Sequence, residues 1–153
     1  MTYQCEIIPF GSELYEQTVL LRTEVLRKPL NLVFTEEQLA AEVDQVHFAC
    51  FANGMEGDRE LVGCLILVPD EVDRMVQMRQ VAVAFDKQQQ GIGQQLLRFA
   101  EAWALEAGYR TVFCHARDVA VPFYLKLGYH IVGEGFTEVS ILHYYMEKLL
   151  LPA

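Results

Sequence analysis

The feature that most limits which fold and which binding site this chain can form is a strand followed by a glycine-containing turn and a helix. Residues 79–85 have the apolar composition of a buried strand, and the polar turn 86–90 follows them. Gly91-Ile92-Gly93 comes next, and from Gly93 onwards apolar residues recur at helical three- and four-residue steps. The first amides of a helix lack partners within the helix, and the helix dipole is positive at that end. The turn therefore predicts a binding site for an anion, typically a phosphate group.

The composition is typical of a folded domain without a membrane span. The chain has 153 residues, 52% of them hydrophobic, so we expect one domain over residues 1–153. No apolar run reaches the roughly 18–20 residues that a membrane helix needs, and the N-terminus lacks a signal-peptide pattern. The formal charge of −9 makes nucleic acid a poor partner and suits a neutral or cationic substrate. We expect a cytoplasmic enzyme or binding domain that binds neither nucleic acid nor membrane.

The four cysteines are predicted to be reduced and buried. Cys5, Cys50, Cys64 and Cys114 each lie in an apolar, strand-like context, and no Cys-x-x-Cys pair is present, so no metal site is expected. His115 follows Cys114, but neighbours on a strand point to opposite faces. That alternation argues against a catalytic thiol–imidazole pair.

The hydrophobic pattern predicts an α/β chain with one mixed sheet. Strands are predicted at residues 3–9, 46–52, 60–68, 74–84, 111–115, 129–133 and 139–146, with a loop at 134–138. Helices are predicted at 12–27, 35–43, 93–107 and 119–127; Ser12 caps the first, and Thr35-Glu36-Glu37-Gln38 is a capping box for the second. The strands at 46–52 and 60–68 should form an antiparallel hairpin. The crossover through the third helix should make its two strands parallel.

Two nucleotide-binding motifs fit the turn poorly. A P-loop requires Gly-Lys-Ser/Thr, whereas Gln94-Gln95 follow Gly93. A dinucleotide fingerprint requires a third glycine where Leu96 stands, and an acidic residue where His115-Ala116-Arg117 stand. The P-loop is excluded, and the dinucleotide motif has little support.

A third motif does fit. Gln88-Gln89-Gln90-Gly91-Ile92-Gly93 is similar to the Gln/Arg-x-x-Gly-x-Gly/Ala signature of GNAT-type N-acetyltransferases, and Gln80-Val81-Ala82-Val83 resembles that family's signature strand. Residues 120–129, Ala-Val-Pro-Phe-Tyr-Leu-Lys-Leu-Gly-Tyr, resemble the family's Ala-x-x-Phe-Tyr-x-x-x-Gly-Phe/Tyr segment. One helix and one strand separate the motifs, as in the family. The chain thus resembles the GNAT superfamily, in particular a bacterial subgroup of small or unassigned substrates.

The resemblance implies the GNAT fold, with a mostly antiparallel sheet, a splayed parallel strand pair and about four helices. It also implies acetyl-coenzyme A as co-substrate, with no metal. The pyrophosphate would bind the amides of the turn, and the pantetheine arm would pair with the strand before it. The residues implied to contact the coenzyme are Val81, Ala82, Val83, Gln88, Gln89, Gln90, Gly91, Ile92, Gly93, Gln94, Arg117 and Tyr124. Arg117 stands where many relatives have asparagine, so it would meet a phosphate or the substrate, or form a surface pair with Asp118.

The implied reaction is direct acyl transfer from the thioester to an amine. The backbone N–H of Val81 or Ala82 would stabilise the oxyanion, and Tyr124 would protonate the leaving thiolate. Many relatives carry a glutamate base on the central strand, but Gln80 here cannot accept a proton. Glu138 and His143 are the candidate bases.

Two other routes for the proton stay open, His115 and a chain of water molecules. The acceptor would bind near residues 21–34, where Arg22, Arg27 and Lys28 lie; solvated helix faces are the default for these three. A basic residue that lined the pocket would instead imply a carboxylate or phosphate on the substrate.

The resemblance predicts an acetyl-coenzyme A-dependent N-acetyltransferase that acts on a small-molecule primary amine. Two alternatives remain, a protein or peptide N-acetyltransferase and a non-catalytic acyl-coenzyme A-binding module. The apolar end Leu149-Leu150-Leu151 leaves a homodimer and a monomer equally open.

Overall fold

The computed structural model describes residues 2–70 and 73–151. This part of the chain contains four α-helices and eight strands. The strands are β1 (Thr2–Ile8), β2 (Val46–Asn53), β3 (Arg59–Asp70), β4 (Met75–Val83), β5 (Thr111–Arg117), β6 (His130–Ile131), β7 (Phe136–Glu138) and β8 (Ile141–Leu149). The helices are α1 (Glu13–Arg22), α2 (Glu36–Ala40), α3 (Ile92–Glu106) and α4 (Val121–Lys126).

Hydrogen bonding orders the strands β1-β2-β3-β4-β5-β8-β6, and β7 pairs with β8. The predicted hairpin of β2 and β3 is antiparallel, and β4 and β5 are parallel, so both predictions are confirmed. The parallel ladder joins Met75–Met78 to Thr111–Cys114, and each strand continues beyond it. This mixed, mostly antiparallel α/β architecture is the predicted fold class.

The described residues group into two compact units. Unit 1 comprises residues up to 68 together with 80–100, and unit 2 comprises 69–79 together with those from 101 onwards. The single domain expected over residues 1–153 stays a prediction. No helix in the described part of the chain is long and apolar enough to span a membrane.

In unit 1, α1 packs on β1 and β2 through an apolar cluster that includes Ile8, Tyr15 and Phe51. The Ser12 side chain accepts a hydrogen bond from the Tyr15 amide, as its predicted capping role requires. The first α-helix was predicted to end at residue 27, but it ends at Arg22. A π-helical turn (Thr23–Arg27) and a 3₁₀ turn (Lys28–Leu30) follow it. The capping box at Thr35 is formed, but the helix it opens ends at Ala40, not at residue 43.

In unit 2, residues 134–138 are partly a strand and not the predicted loop. Phe136–Glu138 form β7 and pair with Ile141–His143 of β8. Val139 and Ser140, predicted as strand, form the turn between these strands, with φ of 45° and 63°. The C-terminal strand therefore begins at Ile141.

The cysteines are free thiols, three of them buried, whereas Cys5 is half-buried and corrects the prediction for that residue. Cys5 and Cys50 are directly opposite each other in the β1–β2 ladder. Cys64 is opposite Ala49 in the β2–β3 ladder. Cys50 and Cys64 therefore point to opposite faces of the sheet.

Candidate active site

The glycine turn joins the end of β4 to the start of α3. Gly91 has a φ of +82°, a conformation that favours glycine, and a Cβ placed there would meet nothing within 4 Å. The first helical hydrogen bond at this end runs from the Gln95 amide to the Gly91 oxygen, at 3.0 Å. Helix geometry leaves the amides before Gln95 without intrahelical acceptors. The turn therefore offers open backbone donors at the positive end of a 15-residue helix.

Side chains from β1 and from the turn itself hold this backbone in place. The Tyr3 hydroxyl donates to Gln90 Oε1 at 2.7 Å, and the Gln95 side chain donates to the Tyr3 carbonyl oxygen at 2.9 Å. The Gln88 side chain donates to the Val83 oxygen at 3.0 Å. Tyr3, which lies 87 positions from Gln90, was not among the residues predicted to hold the turn.

Gly63 allows α3 to pack closely on the sheet, and Gln80 interrupts the regular backbone conformation of β4. A Cβ on Gly63 of β3 would lie 3.2 Å from the Ile92 Cγ2, so glycine allows the start of α3 to pack closely on the sheet. Gln80 has a φ of +58°, which breaks the regular alternation of β4 directly before Val81. Ala82 is buried, while Val81 and Val83 are half-buried.

A buried ion pair lies beside Gln80 in unit 1. Arg22 donates to both carboxylate oxygens of Glu42, and its Nε donates to Gln80 Oε1 at 3.4 Å. The Tyr15 hydroxyl donates to Glu42 Oε1 at 2.8 Å, and the Arg22 guanidinium lies 4.6 Å from the centre of the Phe34 ring. Arg22 is 1% exposed, so the default of a solvated helix face was wrong for this residue.

Tyr124 lies on α4, which packs against β5 in unit 2. Its side chain is buried, and its ring contacts those of Phe123 and Tyr129 edge-on, with centroids 5.2 and 5.5 Å away. Burial, with a smaller contribution from Cys114, raises the pKa of Tyr124 well above the usual range of tyrosine. The phenol therefore keeps its proton and can act as a donor.

A buried polar network holds the chain after α4. The Tyr129 hydroxyl and the Lys148 ammonium both donate to Glu101, at 2.8 Å each. Lys148 also donates to the Leu127 oxygen at 2.8 Å, and the Tyr129 amide donates to the Tyr124 oxygen at 3.1 Å. Burial and then Glu101 raise the pKa of Tyr129. Sequence reasoning had no signal for this network beyond the final Gly-Tyr of the motif.

Glu138 lies between two histidines on neighbouring strands of unit 2. Its Oε1 is 3.4 Å from His115 Nδ1, and its Oε2 is 3.6 Å from His143 Nε2. The Phe136 ring meets His115 edge-on at 5.2 Å and stacks on His143 at 5.9 Å. The structure thus brings together the two candidate bases, Glu138 and His143, with the third candidate, His115.

Arg117 ends β5 and pairs with His143 in the β5–β8 ladder, so it shares the sheet face of the histidines. Tyr124 interacts electrostatically with Cys114, whose side chain points to the other face of β5. The remaining residues implied to contact the coenzyme lie in and around the turn: Gln89, Gln90 and Gln94 are exposed, Gly93 is half-buried and Ile92 is buried.

Known proteins share this architecture. The family profile of the acetyltransferase (GNAT) domain matches residues 44–131, more than half of the chain. A proposed N-acetyltransferase from Lactobacillus plantarum is 22% identical, with a TM-score of 0.79 over 96% of this chain and 99% of that one. An aminoglycoside 6'-N-acetyltransferase complexed with coenzyme A is 16% identical, with a TM-score of 0.75 over 98% of both chains.

A ribosomal-protein-alanine N-acetyltransferase from Escherichia coli is also similar in structure. It is 16% identical, with a TM-score of 0.74, and the alignment covers 99% of this chain and 96% of that one. At 16–22% identity, the structural similarity shows only that these proteins share a fold. The match to the family profile shows that the chain is a member of the family. The chain belongs to the GNAT family of N-acetyltransferases.

Proposed function

We propose that this protein transfers the acetyl group of acetyl-coenzyme A to the primary amine of a small molecule. The observation that carries the proposal is the turn at the start of α3, where open amides surround a glycine at φ +82°. Such a turn binds phosphate through backbone donors without needing basic side chains. An acyl-coenzyme A thioester supplies the activated acetyl group when it is bound there.

The residues of unit 1 fit the pyrophosphate of the coenzyme. The space in front of Gly91 is open, and Gln89, Gln90 and Gln94 are exposed around it. In the proposal, the amides from Gln88 to Gln94 bind the two phosphates. The backbone of Val81 and Val83 pairs with the pantetheine arm, and the amide of Val81 or Ala82 donates to the acetyl oxygen.

Tyr124 is the proposed proton donor to the sulfur that leaves. Because burial raises the pKa of Tyr124, its hydroxyl stays protonated in the neutral range and does not compete as a base. The buried contacts of Tyr129 with Glu101 fix the chain directly after the helix that carries it.

The acceptor amine must lose a proton, since alkyl amines titrate near the lysine value of about 10. The proposed proton acceptor is the cluster that contains Glu138 and His143. Glu138 is exposed at the end of β7, so a solvent-borne substrate can reach it. Arg117 shares the face of this cluster and is proposed to contact the substrate.

The structural neighbours do not decide between a small acceptor and a protein acceptor, because an aminoglycoside acetyltransferase and a ribosomal-protein acetyltransferase both share the fold. The net charge of the chain favours a small acceptor. The formal charge of −9 attracts small cationic amines. Arg22 is excluded as a partner of a substrate anion, because Glu42 already holds its guanidinium.

A cytoplasmic location is part of the proposal. Cys5 and Cys50 are opposite each other on neighbouring strands and are free thiols. Oxidising compartments favour disulfides between such pairs, whereas the cytoplasm keeps thiols reduced.

Calorimetry with acetyl-coenzyme A tests the assignment of the turn. Gly91→Glu should abolish binding, because it strains a backbone at φ +82° and places a carboxylate among the phosphate donors. Gly57→Glu is the matched control: Gly57 has the same φ of +82° and equal space, but it lies between β2 and β3. Absence of binding by wild-type protein, or equal effects of the two variants, would overturn the proposal.

A further inference from the structure

The hydrogen bonds of two histidines in unit 2 determine where their rings carry hydrogen. His143 Nδ1 lies 2.8 Å from the Ile141 carbonyl oxygen, which can only accept, so Nδ1 carries the hydrogen. His115 Nδ1 lies 3.4 Å from Glu138 Oε1, and an ionised carboxylate also only accepts. In the neutral form of both rings the lone pair is therefore on Nε2.

The Nε2 atoms of His143 and His115 differ in how accessible they are to solvent and substrate. His143 Nε2 faces Glu138 at 3.6 Å, and the His143 side chain is only 5% exposed. The His115 side chain is 33% exposed, and its Nε2 has no hydrogen-bond partner among residues 2–70 and 73–151. A general base needs an accessible lone pair within reach of the proton that it removes. His115 meets this requirement, and His143 does not.

Glu138 is placed to position His115 and to stabilise its charged form. A carboxylate on Nδ1–H of a histidine fixes the tautomer and favours the imidazolium that forms when Nε2 takes a proton. The Phe136 ring, edge-on to His115 at 5.2 Å, restricts rotation of the imidazole. The second oxygen of the same carboxylate lies 3.6 Å from His143 Nε2.

Strand alternation separates this base from the proposed acid. Cys114 and His115 are neighbours on β5 and point to opposite faces. Tyr124 interacts electrostatically with Cys114, and its helix α4 packs against β5. The proton donor is thus associated with the residue of β5 that points away from the proton acceptor.

Other charged or titratable groups near His115 belong to three strands. They are Arg79, directly after the last ladder residue of β4, Arg117 on β5 and Tyr145, the ladder partner of His115 on β8. Arg79 and Arg117 each carry a guanidinium group. Glu138 is the carboxylate that offsets them at the ring of His115.

We infer that His115 is the general base of the proposed acetyl transfer and that Glu138 positions it; the inference rests on the proposed function. The ammonium form of the amine gives one proton to His115 Nε2, which later releases it to solvent. The nitrogen lone pair then forms the bond to the acetyl carbon, the carbon–sulfur bond breaks, and Tyr124 protonates the departing sulfur. The second proton on the nitrogen is lost to water as the amide forms, and the Tyr124 phenolate regains a proton from water.

The first test compares His115→Gln with His130→Gln. His130 also faces a glutamate, with its Nε2 3.8 Å from Glu147 Oε1, but it lies on β6 outside the cluster. With acetyl-coenzyme A and a panel of spermidine, tyramine and ethanolamine, His115→Gln should lower kcat/KM for the amine about 10²–10⁴-fold. Its calorimetric affinity for acetyl-coenzyme A should not change, and His130→Gln should match wild type in both measurements.

The ring tautomers provide a readout that a merely structural role would not change. In ¹⁵N spectra of the neutral rings, His115 should be the Nδ1–H form in wild type and change to Nε2–H in Glu138→Gln. Glu147→Gln should leave the His115 signal as it is.

The outcomes separate the inference from the function on which it rests. Normal transfer by His115→Gln, or an Nε2–H tautomer of His115 in wild type, overturns the assignment while the acetyltransferase proposal stands. Wild-type protein that binds no acetyl-coenzyme A overturns the proposed function and this assignment with it. Loss of transfer by His115→Gln with retained coenzyme binding, together with an Nδ1–H tautomer of His115 in wild type, supports the assignment.

Discussion

Glu42→Gln should destabilise the fold far more than Glu6→Gln, although each removes the carboxylate of a bidentate arginine–glutamate pair. Arg22 donates to both oxygens of Glu42 and is 1% exposed. Arg59 donates to both oxygens of Glu6 at 3.0 Å, but the side chains of that pair are 34% and 32% exposed. Each guanidinium also lies over a phenylalanine ring. The two pairs therefore differ chiefly in their access to water.

The burial of the Arg22–Glu42 pair determines how much unfolding free energy Glu42→Gln should lose. Removing one partner of a buried pair leaves an uncompensated charge, which costs about 3–5 kcal/mol. With a urea dependence of roughly 2 kcal/mol/M, the unfolding midpoint should fall by about 1.5–2.5 M. Tyr15, which donates to the same carboxylate at 2.8 Å, loses part of its hydrogen bond as well. Water replaces the contacts of Glu6, so the midpoint of Glu6→Gln should stay close to that of wild type.

Urea unfolding followed by circular dichroism and by the fluorescence of Trp103, the single tryptophan, measures both midpoints. The two probes should give coincident transitions, with an unchanged slope in Glu42→Gln. Equal shifts in the two variants would refute the reasoning, because burial would then not determine the contribution of the pair. A raised midpoint in Glu42→Gln would refute it as well.

Three further predictions concern Tyr124 and the buried thiols of Cys64 and Cys114. Tyr124→Phe should lower the rate of acetyl transfer about 10²-fold or more with unchanged affinity for acetyl-coenzyme A, whereas Tyr109→Phe, on the stack with Trp103, should match wild type; equal rates would remove Tyr124 from the mechanism. Because burial raises the pKa of Tyr124, increasing the pH to about 10 should not lower the wild-type rate through loss of the Tyr124 proton. Burial raises the pKa of Cys64 and of Cys114 to about 12, so neither should react with Ellman's reagent until the protein unfolds; rapid reaction in the native state would contradict this.

The local features of the fold could be predicted from the sequence because their causes are local. The caps at Ser12 and Thr35 depend on residues three positions apart, and both are formed. The hairpin of β2 and β3 follows from two apolar runs around a polar loop. The turn after β7 could not be predicted, because Val139 is β-branched and adopts a φ of 45° that such residues rarely take.

Long-range contacts explain what the sequence could not show. Arginine is exposed by default, and the burial of Arg22 requires Glu42, which lies 20 positions along the chain. His115 and Glu138 are 23 positions apart, and the register of β5, β8 and β7 brings them together. The motif of the turn identified the family, but the anchor at Tyr3 needed the pairing of a distant strand.

The most direct test of the account is acetyl transfer itself. Wild-type protein with acetyl-coenzyme A is offered the panel of small amines and, separately, a mixture of peptides, and acetylated products and free coenzyme A are quantified by mass spectrometry. The account predicts one acetylated small amine per coenzyme A released and little acetylation of peptides. Coenzyme binding without any acetylated amine, or product confined to peptides, would contradict it.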